Sequence, residues 1–479
     1  MCGIIGVIGS NSSAVQAYYG LNALQHRGQE ASGILTSKNI NNKYQFSYHK
    51  GIGLVSEVFN DNSLFTNELF GNISIGHTRY STTGSSDSRK NIQPFFVQYK
   101  NGNLAVVHNG NITNASKIRE SLIKKGAIFQ TSSDTEVILH LIATSKYEDQ
   151  IDQLKDALSK LEGAFSLIIL IDGKLIAARD KYGFRPLSFG RTEDSIIITS
   201  ETCALDINSA QFIRDVNPGE ILVFNENDLF NPVSINFEAE NKIKHCIFEF
   251  IYFSRPDSQI FNINVDKIRR KLGKKLAEKH PVKIENNEKL VVISVPDSSN
   301  TIAIGFQSQL SKLGINSKLD IGLIRSHYIG RTFIAPEQGK RELGVKIKFN
   351  IVKGVLENRH IVIIDDSIVR GTTSKQLIKL IKEAKPKSIH LRIASPQILY
   401  PCYYGMDFPS KEELIAYKLK NNLDDIRNYL EVDSLEYLTV DELLECVSEN
   451  NPQNFCTACF NGNYPTLIDN NFDKNKYDN

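Results

Sequence analysis

The sequence predicts two dissimilar domains, a β-rich α+β domain followed by an α/β domain built on a parallel sheet. Three observations predict this. In the first half, short β-type runs alternate with Gly/Asn/Ser-rich turns, as in ISIGHTRYSTTG, NLAVVHNGNI, AFSLIILIDGKLIAARD and SIIITSE. In the second half the order becomes strand, loop and helix in repetition: LVVISVPDSS then TIAIGFQSQLSKLG, HIVIIDDSIVRGTTS then KQLIKLIKEA, and finally SIHLRIASP. Such alternation builds a parallel sheet covered by helices. The change falls at the polar stretch between Asn236 and Lys244, which divides the chain into 2–238, 239–440 and a C-terminal segment 441–479. Helical periodicity in the first domain is confined mainly to 14–24 and 135–161. The last segment reads as accessory helix followed by a disordered Asn/Asp/Lys tail.

Composition bounds the function. A chain of 479 residues, 41% hydrophobic and 23% charged, is ordinary for a globular protein. The net charge of +2, with no Lys/Arg block, disfavours nucleic acid or an anionic membrane as partner. The longest apolar runs, 164–171 and 361–364, fall far short of the roughly 18 residues that span a bilayer. The start, MCGIIGVIGS, has no basic region before its apolar run and does not read as a secretory signal, so a cytoplasmic location is expected. Seven cysteines, at 2, 203, 246, 402, 446, 456 and 459, fit reduced thiols, a metal site or catalysis better than a disulfide framework.

Removal of Met1 would expose Cys2 with a free α-amine, whose reference pKa of about 7.7 to 8.0 suits it to act as a base. Nucleophile and base then share one residue, and such a thiol can attack a carboxamide carbon if an oxyanion hole and a substrate clamp are supplied. Alone, a second-position Cys heading an apolar strand is more often a small core residue. The segments HRGQE (26–30), GHTRYSTTG (76–84), HNGNI (108–112) and SSDTE (132–136) change that reading. They are expected at loops between strand-like runs, each rich in fixed donors or acceptors. Together with Cys2 they resemble the N-terminal-nucleophile (Ntn) glutamine amidotransferases. The resemblance implies an αββα sandwich in which Arg79 clamps the substrate α-carboxylate, Asp134 holds its α-ammonium group, and Asn109 with the N–H of Gly110 forms the oxyanion hole. Without the family, Arg79 reads as an exposed loop arginine and Asn109-Gly110 as a hairpin turn. RDKYGFRPL and SETCALD extend the likeness, although Lys181 stands where the family commonly has Pro.

In the second half, HIVIIDDSIVRGTTS (360–374) runs directly into an amphipathic helix. Gly371, Thr372, Thr373 and Ser374 at the helix start can surround a phosphate at the positive end of the helix dipole. Asp365 and Asp366, at the carboxyl edge of a strand, can accept from two sugar hydroxyls or lie near a hydrated Mg²⁺. An Asp-Asp strand end in another doubly wound domain is the competing view. The segment resembles the binding loop of the type I phosphoribosyltransferases. By that resemblance VPDSS (295–299) contacts diphosphate and metal, making Ser298 a candidate Mg²⁺ contact. YIGRTFI and VKIKFN supply Arg331, Lys346 and Lys348 for the diphosphate, on a loop that could close over it; a solvated basic loop is the alternative.

Taken together, the two halves resemble the glutamine phosphoribosylpyrophosphate amidotransferases (amidophosphoribosyltransferases) of the iron-sulfur type, over nearly all of the chain before its tail. This implies that glutamine hydrolysis feeds ammonia to C1 of phosphoribosyl diphosphate, giving 5-phosphoribosylamine, diphosphate and glutamate, the first step of de novo purine synthesis. It also implies a homotetramer inhibited by purine nucleotides.

Cys456 and Cys459 form a CxxC pair that alone could bind zinc, carry redox chemistry or mean nothing. Cys246 and Cys402 lie in segments that resemble the iron-sulfur members, which implies Cys246, Cys402, Cys456 and Cys459 as ligands of a 4Fe-4S cluster, with structural Zn²⁺ as the alternative. Cys203 and Cys446 remain as core thiols. Cluster-bearing relatives often carry a propeptide, whereas here only Met1 precedes the nucleophile, so methionine removal is the expected maturation. Two rivals were weighed. Another glutamine-dependent synthase would need an SGGxDS loop or sugar-isomerase repeats, and neither occurs. A non-catalytic regulator that binds phosphoribosyl diphosphate has no need of Cys2, Arg79, Asn109 and Asp134.

Overall fold

The computed structural model describes residues 1–41, 43–80, 89–237, 242–285, 288–326, 348–408, 410–447 and 451–468. In the first half, two antiparallel sheets of seven and six strands lie face to face. Gly3–Ile8 runs in the middle of the larger sheet, between Ile73–Arg79 and Ile196–Thr199. Gly102–Ile112, Gly163–Ile171 and Lys174–Arg179 are consecutive neighbours in the smaller one. Side chains alternate between faces with period two, which decides the layering. Ile4 and Ile8 meet Ala105, Val107, Ile168 and Leu170 in the core between the sheets. Ile5 and Val7, on the other face, pack on the helix Ser13–Ala23. Leu104 and Val106 pack outward on the helices Glu136–Ala143 and Gln150–Leu158. The result is an αββα sandwich, the Ntn architecture. Every residue of Gly163–Ile171 is buried, because both faces of that strand are covered.

Residues 135–161, expected as one helical stretch, form two helices. Asp149 starts the second, its carboxylate accepting from the N–H groups of Ile151 at 2.8 Å and Asp152 at 3.1 Å. A further helix, Ala115–Lys124, escapes the periodicity because it buries only Leu122 and Arg119.

The second half carries a five-stranded sheet in the order Ser317–Leu319, Leu290–Ser294, His360–Asp365, Ser388–Ile393, Ser434–Tyr437, every pair parallel. Its helices include Asn300–Lys312 and Thr372–Lys382. The expected α/β domain is therefore present. The helix Val265–Lys279 crosses Asn300–Lys312 at glycines: a Cβ on Gly273 would stand 1.9 Å from the Ile302 carbonyl oxygen. The C-terminal segment is stitched back by a short parallel ladder in which Phe455–Cys456 pairs with His245–Cys246. The polar tail 469–479 lies outside the described residues. No helix among the described residues is long and apolar enough to cross a membrane.

Candidate functional site

Cys2 heads the central strand of the larger sheet and is buried there. Its backbone N–H donates to Asn109 Oδ1 at 3.2 Å, and its thiol lies 3.6 Å from the carbonyl of Tyr80. Burial pushes the thiol pKa up, while the neighbouring N-terminal charge, the Tyr80 contact and Arg79 draw it down. Met1 is buried as well, and that burial lowers its α-ammonium pKa to about 5.

Asn109 is fully buried, and its Nδ2 has no hydrogen-bond partner among the described residues. An orphaned donor of this kind is costly to bury. Gly110 has φ +154, and a Cβ there would fall 2.0 Å from the Ala164 carbonyl oxygen, so no other residue fits. Arg79 ends the strand Ile73–Arg79 and is 4% exposed. Gly28 of HRGQE packs flat on it, a Cβ at that position falling 2.6 Å from the Arg79 carbonyl carbon. Asp134 is buried, and its Oδ2 accepts from the N–H of Ile112 at 2.9 Å.

One expectation is corrected here. GHTR and HNGNI lie within strands, not in loops: Arg79 is not an exposed loop arginine, and Asn109-Gly110 is not a hairpin turn. The sandwich covers these strand ends, so donors aimed between the sheets are buried instead of solvated.

A buried ionic network beneath Cys2 was missed in the sequence. Arg27 Nε donates to the Cys2 carbonyl at 3.0 Å, and its guanidinium bonds Glu201 and, at 2.9 and 3.1 Å, Glu249. Glu201 also accepts from His26, with Nε2 at 2.8 Å. Burial alone would raise the Glu201 pKa, yet His26 and Arg27 hold it well below the usual carboxylate range. Arg185 reaches Glu249 at 3.4 Å. All four charged residues sit in the segments HRGQE, RDKYGFRPL, SETCALD and KHCIFEFIYFS, and charge inside otherwise apolar or glycine-rich runs was the available signal.

At the second site, Asp365 ends a parallel strand and Asp366 follows it, buried. Ser298 donates to Asp366, and Ser299 Oγ donates to Asp365 Oδ1 at 3.3 Å, so VPDSS and the acid pair do meet. Burial, and for Asp365 the charge of Asp366, raise both carboxyl pKa values. Gly371 takes φ +76 at the cap of Thr372–Lys382, where a Cβ would meet Ile415 Cδ1 at 2.4 Å. Thr372 and Thr373 are exposed and Ser374 partly so, at the open N-terminal end of that helix. Lys348 is exposed; Arg331 and Lys346 lie outside the described residues.

Cys246, Cys402, Cys456 and Cys459 line one small cavity, together with Phe184, Phe248, Tyr404, Met406, Phe408 and Tyr464. The ladder sets Cys246 directly opposite Cys456. The carbonyl of Cys459 accepts from Leu399 and Tyr400 at 3.0 and 3.1 Å, which brings it beside Cys402. Burial pushes the Cys246 thiol up to about 11 and those of Cys456 and Cys459 higher than usual. Among the described residues no group of three or more Cys, His, Asp or Glu side chains is arranged to hold a single metal ion. Cys203 and Cys446 are buried elsewhere in the core.

Residues 77–206 match a family model described as a glutamine amidotransferase domain. The chain is 45% identical over 465 residues to "Amidophosphoribosyltransferase 2, chloroplastic" of Arabidopsis thaliana, covering 97% of this chain and 79% of that protein. It is 43% identical over 492 residues to the amidophosphoribosyltransferase of Methanocaldococcus jannaschii, covering 99% of both. Among solved structures, the glutamine phosphoribosylpyrophosphate amidotransferase from B. subtilis, complexed with ADP and GMP, superposes with a TM-score of 0.88 at 41% identity, over 98% of each chain.

Proposed function

This chain belongs to the amidophosphoribosyltransferase family, and on that premise we propose that its two sites carry out one coupled reaction, with the roles that follow. Glutamine, water and phosphoribosyl diphosphate become 5-phosphoribosylamine, diphosphate and glutamate, the entry to de novo purine synthesis. The observation that carries the assignment is the pairing of Cys2 with Asn109, whose Oδ1 receives the Cys2 N–H while its Nδ2 stays buried without a partner among the described residues. Once Met1 is removed, that same nitrogen is the α-amine that takes the thiol proton. The sulfur bonds the carboxamide carbon, and the developing oxyanion is met by Asn109 Nδ2 and the Gly110 N–H. The proton passes to the departing nitrogen, ammonia leaves, and water cleaves the thioester to glutamate. Arg79 and Asp134 hold the α-carboxylate and α-ammonium groups, so that the amide carbon stands over the thiol.

Ammonia then attacks C1 of the activated sugar and diphosphate departs. Gly371, Thr372, Thr373 and Ser374 cradle the 5-phosphate. Asp365 and Asp366 accept from the ribose hydroxyls and, with Ser298, would hold Mg²⁺, which neutralises the diphosphate charge; a pair of adjacent carboxyls in which the Asp366 charge raises the proton affinity of Asp365 fits a divalent cation. Arg331, Lys346 and Lys348 supply further positive charge to the diphosphate.

Four thiols about one cavity fit a 4Fe-4S cluster. Structural Zn²⁺ held by the same four thiols is the alternative, and the iron and sulfide content distinguishes the two. The cluster would tie the C-terminal segment to the second domain and take no part in the reaction. A homotetramer, purine-nucleotide inhibition and a cytoplasmic location complete the reading. The relative solved with ADP and GMP supports the nucleotide part, and seven unpaired cysteines support a reducing compartment.

The test is a Cys2→Ala protein. It is expected to lose glutamine-dependent phosphoribosylamine formation and keep the ammonia-dependent reaction. Glutamine-dependent turnover in this variant would sink the amidase assignment. Iron and sulfide analysis of anaerobically purified protein tests the cluster, and mass spectrometry of the N-terminus tests removal of Met1.

A further inference from the structure

We propose that the turn Tyr403-Tyr404-Gly405 of the second domain positions the oxyanion hole of the first, with Asn111 as the positioning residue that receives it. The inference rests on the assignment of Asn109 and Gly110 to that hole. Asn111 follows Gly110 on the same buried strand, and its Nδ2 donates to the Tyr403 carbonyl, 292 residues away, at 2.8 Å. The next carbonyl, of Tyr404, accepts from Arg185 Nε at 2.8 Å. The next residue, Gly405, has φ +101 and lies against Gly110 itself: a Cβ there would stand 3.1 Å from both the carbonyl carbon and oxygen of Gly110. Three consecutive residues therefore touch the first domain, Tyr403 at Asn111, Tyr404 at Arg185 and Gly405 at Gly110, the residue whose N–H must meet the oxyanion.

Function is the expected place for the loss to appear. A single neutral amide-to-carbonyl bond contributes too little to decide whether two domains dock. An oxyanion donor, by contrast, works only within a narrow range of distance, and displacement by an ångström is costly. Gly110 has a positive φ within its strand and cannot lean on a side chain of its own, so its placement depends on the neighbours that clamp it. The glutaminase is thereby tuned by the docked second domain.

Full-length Asn111→Ala protein tests this, with phosphoribosylamine formation measured from glutamine and from ammonia. Glutamine-dependent kcat is expected to fall on the order of tenfold to a hundredfold, while the glutamine KM stays within about twofold and the ammonia-dependent rate is unchanged. Gly405→Ala, whose added Cβ would press on the Gly110 carbonyl, should reproduce the same split. Wild-type kcat in both variants would overturn the proposal. So would parallel loss of both reactions, which marks general packing, or a raised KM at constant kcat, which marks substrate binding. Should Asn109→Ala retain glutamine turnover, the oxyanion assignment itself fails, an outcome separate from any result at Asn111.

Discussion

The guanidinium of Arg27 and the carboxylate of Glu249 meet at 2.9 Å with both side chains fully buried, although 222 residues separate them in the chain. Arg27 also holds the Cys2 carbonyl, so a charge from beyond the first domain helps to seat Cys2. Breaking a buried pair from one side strands the other charge, which typically costs about 3–5 kcal/mol. Glu249→Ala is therefore expected to destabilise the protein by an amount in that range, read from urea denaturation. A change near zero would show that water or Glu201 compensates Arg27.

Asn109→Ala removes the orphaned donor without leaving a charge behind. Glutamine-dependent kcat is expected to fall about a hundredfold or more. The glutamine KM should change little, because the proposed clamp of Arg79 and Asp134 is left intact. An equal loss in kcat/KM through KM alone would place Asn109 in ground-state binding.

The acid pair makes stability depend on pH with a definite sign. Folding raises the Asp365 pKa, through burial first and then the charge of Asp366. Between the unfolded and folded values the folded state keeps a proton that the unfolded state has lost, so stability falls as pH rises through that window and stays reduced above it. In the presence of a chelator, Asp365→Asn is expected to be more stable than the parent at pH 8 by about 1 kcal/mol or more, and the difference should shrink toward pH 4. Added Mg²⁺ should narrow the gap at pH 8 by stabilising the parent. The variant should have lost phosphoribosylamine synthesis from either nitrogen source. A pH-independent difference would show that Asp365 titrates alike in both states.

Cys456→Ser places a hydroxyl where the ladder faces Cys246. Iron and sulfide content is expected to drop to background, and the C-terminal segment should become sensitive to limited proteolysis. Full iron content in this variant would remove Cys456 from the ligand set.

Much of this protein was readable along the chain. The apolar β-type run flanked by Gly and Asn in 102–112 and the strand-to-glycine turn of 360–374 are local patterns, set by which side chains must leave water and which backbone must bend, and these determined both domain classes. Motifs short enough to lie on one turn, such as Asp365-Asp366 and 371–374, carried their chemistry in plain view. Tertiary structure alone decided the rest, because it depends on what covers each element. Arg79 and Asn109 are buried donors only because a second sheet closes over their strand ends. Arg27 and Glu249 gave no local sign of pairing, since a buried charge is tolerable only beside a partner that the fold delivers from afar. The two-residue ladder that sets Cys246 opposite Cys456 is likewise too short for any periodicity to announce.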